Sequence, residues 1–145
     1  MARWTAHDVP ERSGRIAGVT GANSGLGYQV TRMLAGKGAR VVLACRDLDK
    51  GAAAIRRIEA ENPPGRLELE RLDLADLDQV RAFADRLHET LDQIDVLILN
   101  AGVMVPPEAW TKQGFELQLG VNYLGHFALA GHLLDRCTCS SCNTV

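Results

Sequence analysis

The sequence predicts an α/β chain in which a parallel β-sheet carries helices on both of its faces. Three observations predict it. Apolar strand-like runs alternate with segments of helical periodicity, the signature of consecutive βαβ units. The turn between the first strand and the first helix is rich in glycine, as close packing of helix on strand requires. The 145 residues are 46% hydrophobic and 23% charged, enough for a core without disulfide or metal support.

The first strand is Arg15 to Thr20, an apolar run bounded by glycines. A helix follows from about Ser24, with Leu26, Val30, Met33 and Leu34 expected on its inner face and a stop near Gly36 and Gly38. The second strand, Ala39 to Ala44, carries Val41-Val42-Leu43 as a continuous apolar run, as a strand buried on both faces should. Asp47 is placed to cap a helix carrying Ala52, Ile55 and Ile58, which Asn62-Pro63-Pro64-Gly65 ends. Leu67 to Leu72 alternates apolar with charged residues and reads as an edge strand. A third helix spans Leu77 to Leu91 with Val80, Phe83, Ala84 and Leu87 inward, and the fourth strand is Asp95 to Asn100. Beyond Pro106-Pro107 a last apolar helix is expected from about Gln113 to Leu134. Without an internal linker, the chain reads as one domain or a piece of one.

Charge and targeting narrow the function classes. Sixteen Lys+Arg against 18 Asp+Glu give a net charge of -2, with no basic cluster of the kind nucleic acid or an anionic membrane needs. No apolar run approaches the roughly 20 residues of a membrane helix. Residues Met1 to Asp8 lack the apolar core of a secretory signal. A cytoplasmic location is expected, with the cysteines reduced.

The strongest motif is Thr20-Gly21-Ala22-Asn23-Ser24-Gly25-Leu26-Gly27, placed between the first strand and the first helix. Glycines there allow a tight turn and close backbone approach to a pyrophosphate, while the helix N-terminus offers free amides and a positive dipole end. The alternative is a glycine-rich turn without a ligand, against which the strand-turn-helix context argues.

Thr before Gly-x-x-x-Gly-x-Gly resembles the short-chain dehydrogenase/reductase family. The resemblance extends to Asp73-Leu74 after the third strand and Asn100-Ala101-Gly102 after the fourth. Phe115 to Phe127 and Ala44-Cys45-Arg46-Asp47 point to the branch with the retinol dehydrogenases and protochlorophyllide-reductase-like proteins. The resemblance covers about residues 10 to 136. It implies a Rossmann-type sheet of strand order 3-2-1-4, truncated after the fourth or fifth helix, with a partial NAD(P)-binding domain at 1–136 and a divergent Cys-rich tail at 137–145.

The resemblance also implies roles. Thr20, Gly21, Asn23, Ser24, Gly25, Leu26 and Gly27 would hold the pyrophosphate, Asp73 and Leu74 the adenine, and Asn100, Ala101 and Gly102 would line the cofactor and steady the sheet. Asn122 matches the family's catalytic Asn, which supports a water in proton relay. Cys45 stands where NAD-preferring members carry an Asp facing the adenosine ribose, and Arg46 follows it. A guanidinium there can pair with a 2'-phosphate, so NADP(H) is expected over NAD(H). Against this, Ser24 replaces the loop cation of some NADP enzymes and Asp47 is near enough to pair with Arg46. Each residue has a plainer reading too: a solvated Arg46, a turn carboxylate at Asp73, a structural hydrogen bond at Asn122.

The family's chemistry is hydride transfer between nicotinamide and a small carbonyl or alcohol, with a Ser, and a Tyr whose pKa is lowered by a Lys four residues on. The tyrosines here are Tyr28 and Tyr123 and the last lysine is Lys112, so this pair and the Ser are absent. After Arg136 the composition changes abruptly, which reads as a frameshift, an alternative end or a truncated product. This leaves two function classes, an oxidoreductase represented by its cofactor-binding half and an inactive nucleotide- or partner-binding fragment. A zinc site from His132, Cys137, Cys139 and Cys142 is a third, weaker option, since the spacing fits no familiar zinc motif. Val96-Leu97-Ile98-Leu99 would lie at an open sheet edge, so self-association is expected.

Overall fold

A computed structural model describes Thr5 and residues 8–137. The element order is β1 (Ile16–Thr20), α1 (Gly25–Gly36), β2 (Arg40–Cys45), α2 (Leu48–Glu59), β3 (Arg66–Arg71), α3 (Leu77–Thr90) and β4 (Val96–Ile98). Then follow a single helical turn α4 (Leu117–Leu119), a wider π-type turn (Gly120–Gly125) and α5 (His126–Leu133). The four strands are parallel in the order β3-β2-β1-β4, as the resemblance implied.

Alternation along β2 explains how one strand serves two layers. Val41, Leu43 and Cys45 enter a core with Ala17, Val19, Leu34, Ala35, Ala54 and Ile58 under α1 and α2. Val42 and Ala44 enter the opposite core with Phe83, Leu87, Leu129 and Leu133 under α3 and α5. Successive side chains of a strand point to opposite faces, so a run buried throughout must have a layer on each side. Each fully buried Leu, Val or Phe contributes roughly 1.5–3 kcal/mol.

The helix starts are chemical. The Asp47 carboxylate accepts from the Lys50 amide at 3.0 Å, and the Asp76 carboxylate accepts from the Asp78 and Gln79 amides at 3.0 and 3.4 Å. On the edge strand, the charged alternates of β3 are paired: Glu68 with Arg40 and Arg66, and Glu70 with Arg86.

Four expectations need correction. Leu26 is 77% exposed, because α1 buries Gly27, Tyr28, Thr31, Leu34 and Ala35, a stripe that begins one residue later. The fourth strand is only Val96–Ile98, since β1 supplies its one pairing partner and the ladder ends at Val19–Ile98. The last helix begins at Leu117 rather than Gln113. Lys112 instead bridges Asp76 and Asp78, Gln113 accepts from the Leu77 amide, and the Glu116 carboxylate caps the Gln118 and Leu119 amides. Finally, that helix is interrupted by the π-type turn, where Gly125 lies so close to the Leu74 carbonyl that a Cβ would sit 2.5 Å from it. Beyond α5, the Arg136 carbonyl accepts from the Ile94 amide at 2.7 Å and Cys137 bridges to Ile94, beside the start of β4. Most of the Cys-rich tail, Cys139 and Cys142 included, lies outside the described residues.

Candidate dinucleotide site

β1 delivers the glycine loop at the C-terminal edge of the sheet, where parallel α/β sheets present their crevices. The Gly21 amide is anchored on the Ala44 carbonyl at 2.9 Å. Gly27 is needed for close approach: a Cβ there would run into the Gly21 carbonyl and lie 2.5 Å from Asn100 Nδ2. α1 has Ser24 as its N-cap, yet the Ser24 side chain makes no capping bond, and Tyr28 N–H is the amide that bonds back to the Ser24 carbonyl. The preceding first-turn amides therefore lack helical acceptors and favour an anion.

Thr20 ties the loop to the end of β4. Its hydroxyl, on a residue only 1% exposed, accepts from the Asn100 and Ala101 amides at 2.9 and 3.0 Å. Asn100 Nδ2 donates in return to the Thr20 carbonyl at 3.0 Å. A cavity of about 150 Å³ opens above this junction, and its lining includes Thr20, Gly21, Asn23, Arg46, Asp73, Leu74, Ala101 and Gly102. Eight of the residues expected to bind cofactor thus meet at one place. Ser24, Gly25, Leu26 and Gly27 lie outside that lining, at the start of α1, while Asn100 sits beneath the cavity as a brace.

Arg46 is exposed and makes no ion pair among the described residues; Asp47 pairs with Lys50 instead, at 3.6 Å. The ribose-facing position expected for Cys45 is corrected. Cys45 is buried in the α1–α2 core, because strand alternation turns Ala44 and Arg46 to the cavity and Cys45 away from it. Burial raises the Cys45 thiol pKa above its usual range, against the pull of the Ala22 and Asn23 amides. The Asp73 carboxylate accepts from the Ala75 amide at 2.9 Å, the turn role, while also bordering the cavity.

Asn122 lies beside the cavity rather than in it, and it is exposed. Its side chain is nonetheless fixed: Oδ1 accepts from the Val103 amide and Nδ2 donates to the Val103 carbonyl, both at 2.8 Å. Gln118, one helical turn earlier, accepts from the Val105 amide at 2.9 Å. Neither Gln118 nor the buried His126, which contacts Thr20, was singled out in the sequence. Their spacing of four residues either side of Asn122 was the available signal. No group of three or more His, Cys, Asp or Glu able to hold a metal occurs among the described residues.

A parallel sheet, a glycine loop opening an uncapped helix and an arginine after β2 without an ion pair among the described residues are features of a Rossmann-type fold. Residues 15–140 match the short chain dehydrogenase family, and the chain belongs to it. Mouse retinol dehydrogenase 13 is 45% identical over 128 residues, 88% of this chain but 38% of the relative, which places the chain in the retinol-dehydrogenase-like branch. The chain thus spans about two-fifths of that curated relative. A crystal structure of an uncharacterized protein from Mycobacterium paratuberculosis superposes with a TM-score of 0.83 at 50% identity, covering 93% of this chain and 47% of the other. A metagenomic short-chain oxidoreductase in complex with NADP gives 0.72 at 34% identity, covering 83% of this chain and 55% of the other.

Proposed function

We propose that this chain is the cofactor-binding part of an NADP(H)-dependent oxidoreductase acting on a small carbonyl or alcohol. The observation that carries the reading is convergence: Arg46, without an ion pair among the described residues, lines the same cavity as Gly21 and Asn23 of the loop that leads into the uncapped start of α1. The first-turn amides and the guanidinium are donors suited to phosphate oxygens, the amides to a pyrophosphate and the guanidinium to a 2'-phosphate. The NADP complex of the metagenomic relative supports the same choice.

In this assignment Gly21, Asn23, Ser24, Gly25, Leu26 and Gly27 present the phosphate loop, and Thr20 holds it. Asp73 and Leu74 border the adenine, while Asn100, Ala101 and Gly102 form the floor toward the nicotinamide. When bound, the nicotinamide supplies or accepts a hydride. Asn122, with one Nδ2 hydrogen and one Oδ1 lone pair left after its Val103 bonds, can still hold a water. A cytoplasmic location belongs to the same proposal. No helix among the described residues is long and apolar enough to cross a membrane.

A second reading, an inactive nucleotide- or partner-binding fragment, is favoured by the sequence itself, in which no tyrosine has a lysine four residues on. A titration series tests the NADP(H) assignment, and an activity assay on the same samples tests the second reading. The wild-type protein should bind NADPH more tightly than NADH by about tenfold to a hundredfold, the value of a charged hydrogen-bonded contact. Arg46→Asp should remove or invert that ratio, and an unchanged ratio contradicts the NADP(H) assignment. Negligible carbonyl reduction by the same samples supports the fragment reading, whereas turnover refutes it.

A further inference from the structure

We propose that His126 is a positioning residue for the dinucleotide site, taking the single proton of the Thr20 hydroxyl so that both of that oxygen's lone pairs serve the Asn100–Ala101 turn. The inference rests on the function proposed above. His126 is 6% exposed, and its Nε2 lies 2.9 Å from Thr20 Oγ1 while Nδ1 lies 3.2 Å from the Asn122 carbonyl.

Counting protons fixes the arrangement. A threonine hydroxyl has one proton and two acceptor sites. The Asn100 and Ala101 amides fill both acceptor sites. A third donor at Oγ1 would be one too many, so His126 Nε2 must be the bare nitrogen that accepts the hydroxyl proton. The other end of the ring agrees, because a carbonyl oxygen can face Nδ1 only if Nδ1 carries a proton. His126 is therefore the neutral Nδ1–H tautomer. The other acceptor near the hydroxyl, the Ile98 carbonyl, is 3.5 Å away and a poor substitute.

The consequence reaches the cavity through Thr20. Ala101 and Gly102 line it, and their turn is held by the two amides on Thr20 Oγ1. If the hydroxyl loses the His126 acceptor, its proton must swing toward Ile98, and the lone pairs rotate off the Asn100 and Ala101 amides. His126 thus acts on the dinucleotide site from the opposite side of Thr20, without touching the ligand.

The test uses the whole 15N-labelled chain. In the wild type the His126 imidazole should show an unprotonated Nε2 and a protonated Nδ1, and the Asn100 and Ala101 amides should exchange slowly. His126→Leu should speed exchange at those two amides and weaken NADPH binding by about threefold to tenfold, the loss of one hydrogen bond. His126→Gln, whose amide oxygen can accept from Thr20, should restore both, and Thr20→Val should make the His126 substitutions indifferent. A protonated Nε2 in the wild type overturns the inference even if no variant folds, and so does wild-type exchange and affinity in His126→Leu. Absence of NADPH binding by the wild type instead contradicts the function itself.

Discussion

At the residue scale, the site depends on the Thr20 hydroxyl, whose one proton and two acceptor sites are all engaged. Thr20 and His126, both buried, and the half-buried Asn100 form one hydrogen-bonded network, where an unpaired donor or acceptor costs about 1–3 kcal/mol. Asn100→Ala removes the donor to the Thr20 carbonyl, so a loss of roughly that size is expected in urea unfolding, with weaker NADPH binding. His126 also gives the molecule an acid limit. Burial holds its pKa below the ordinary value, against the raising effect of the Asn122 carbonyl. On acidification the unfolded chain takes up this proton first, near pH 6.5, so stability is fully present above that pH and falls below it until the folded imidazole also titrates. Urea midpoints at pH 7.5 and 5.5 should show the drop, and His126→Gln should lessen it; equal pH sensitivity in the two proteins would contradict this. The motif residues of this site were legible because glycines, Thr20 and Asn100 stand at fixed offsets around strand ends. His126 was not, since a histidine inside an apolar run shows its partner only once β1 and α5 are brought together.

Elements whose ends are set by local chemistry were legible, and those set by distant contacts were not. Asp47 and Asp76 cap α2 and α3 through their own next-turn amides, so sequence and structure agree there. The last helix has a local cap too, Glu116, but its later start than expected goes with distant contacts before it: Lys112 reaches Asp76 and Asp78 across more than thirty residues and Gln113 accepts from the Leu77 amide. Asp76 therefore serves two elements, and Asp76→Ala should destabilise the protein by about 1–2 kcal/mol, more than the loss of a cap alone in an isolated helix. Chemical denaturation reads this directly, and Lys112→Met should cost less in that background than in the wild type, because Asp78 is then the one of its two carboxylate partners that remains. The inner face of α1 was misread by one residue because Leu26 is apolar. At the first turn, however, close packing is done by Gly27, and the leucine side chain is left outward.

For the whole molecule, two well-filled layers contrast with one apolar flank. Phe83, Leu43, Ile58 and Leu129 are fully buried, and Phe83→Ala should cost about 3–5 kcal/mol. On the β4 side, Leu99, Leu119, Tyr123 and Leu134 are exposed, and Phe127, stacked on Tyr123 with centroids 6.2 Å apart, is 71% exposed. Leu99, Tyr123 and Phe127 share one groove, and an exposed apolar surface of this kind favours association. Sedimentation at micromolar concentration should reveal self-association that Phe127→Glu reduces, and a stable monomer would contradict it. The sheet order and family were readable from motif spacing, and part of this flank was readable too, in the open edge expected of Val96 to Leu99; the stacking of Phe127 on Tyr123 was not, because it depends on how the last helix turns. The central claim remains the cofactor cleft, and an amide chemical-shift titration of the intact chain with NADPH tests it most directly. Shifts concentrated at residues 21–27, 46, 73–74 and 101–102 are predicted. Shifts confined to the β4 flank, or none at millimolar NADPH, would contradict it.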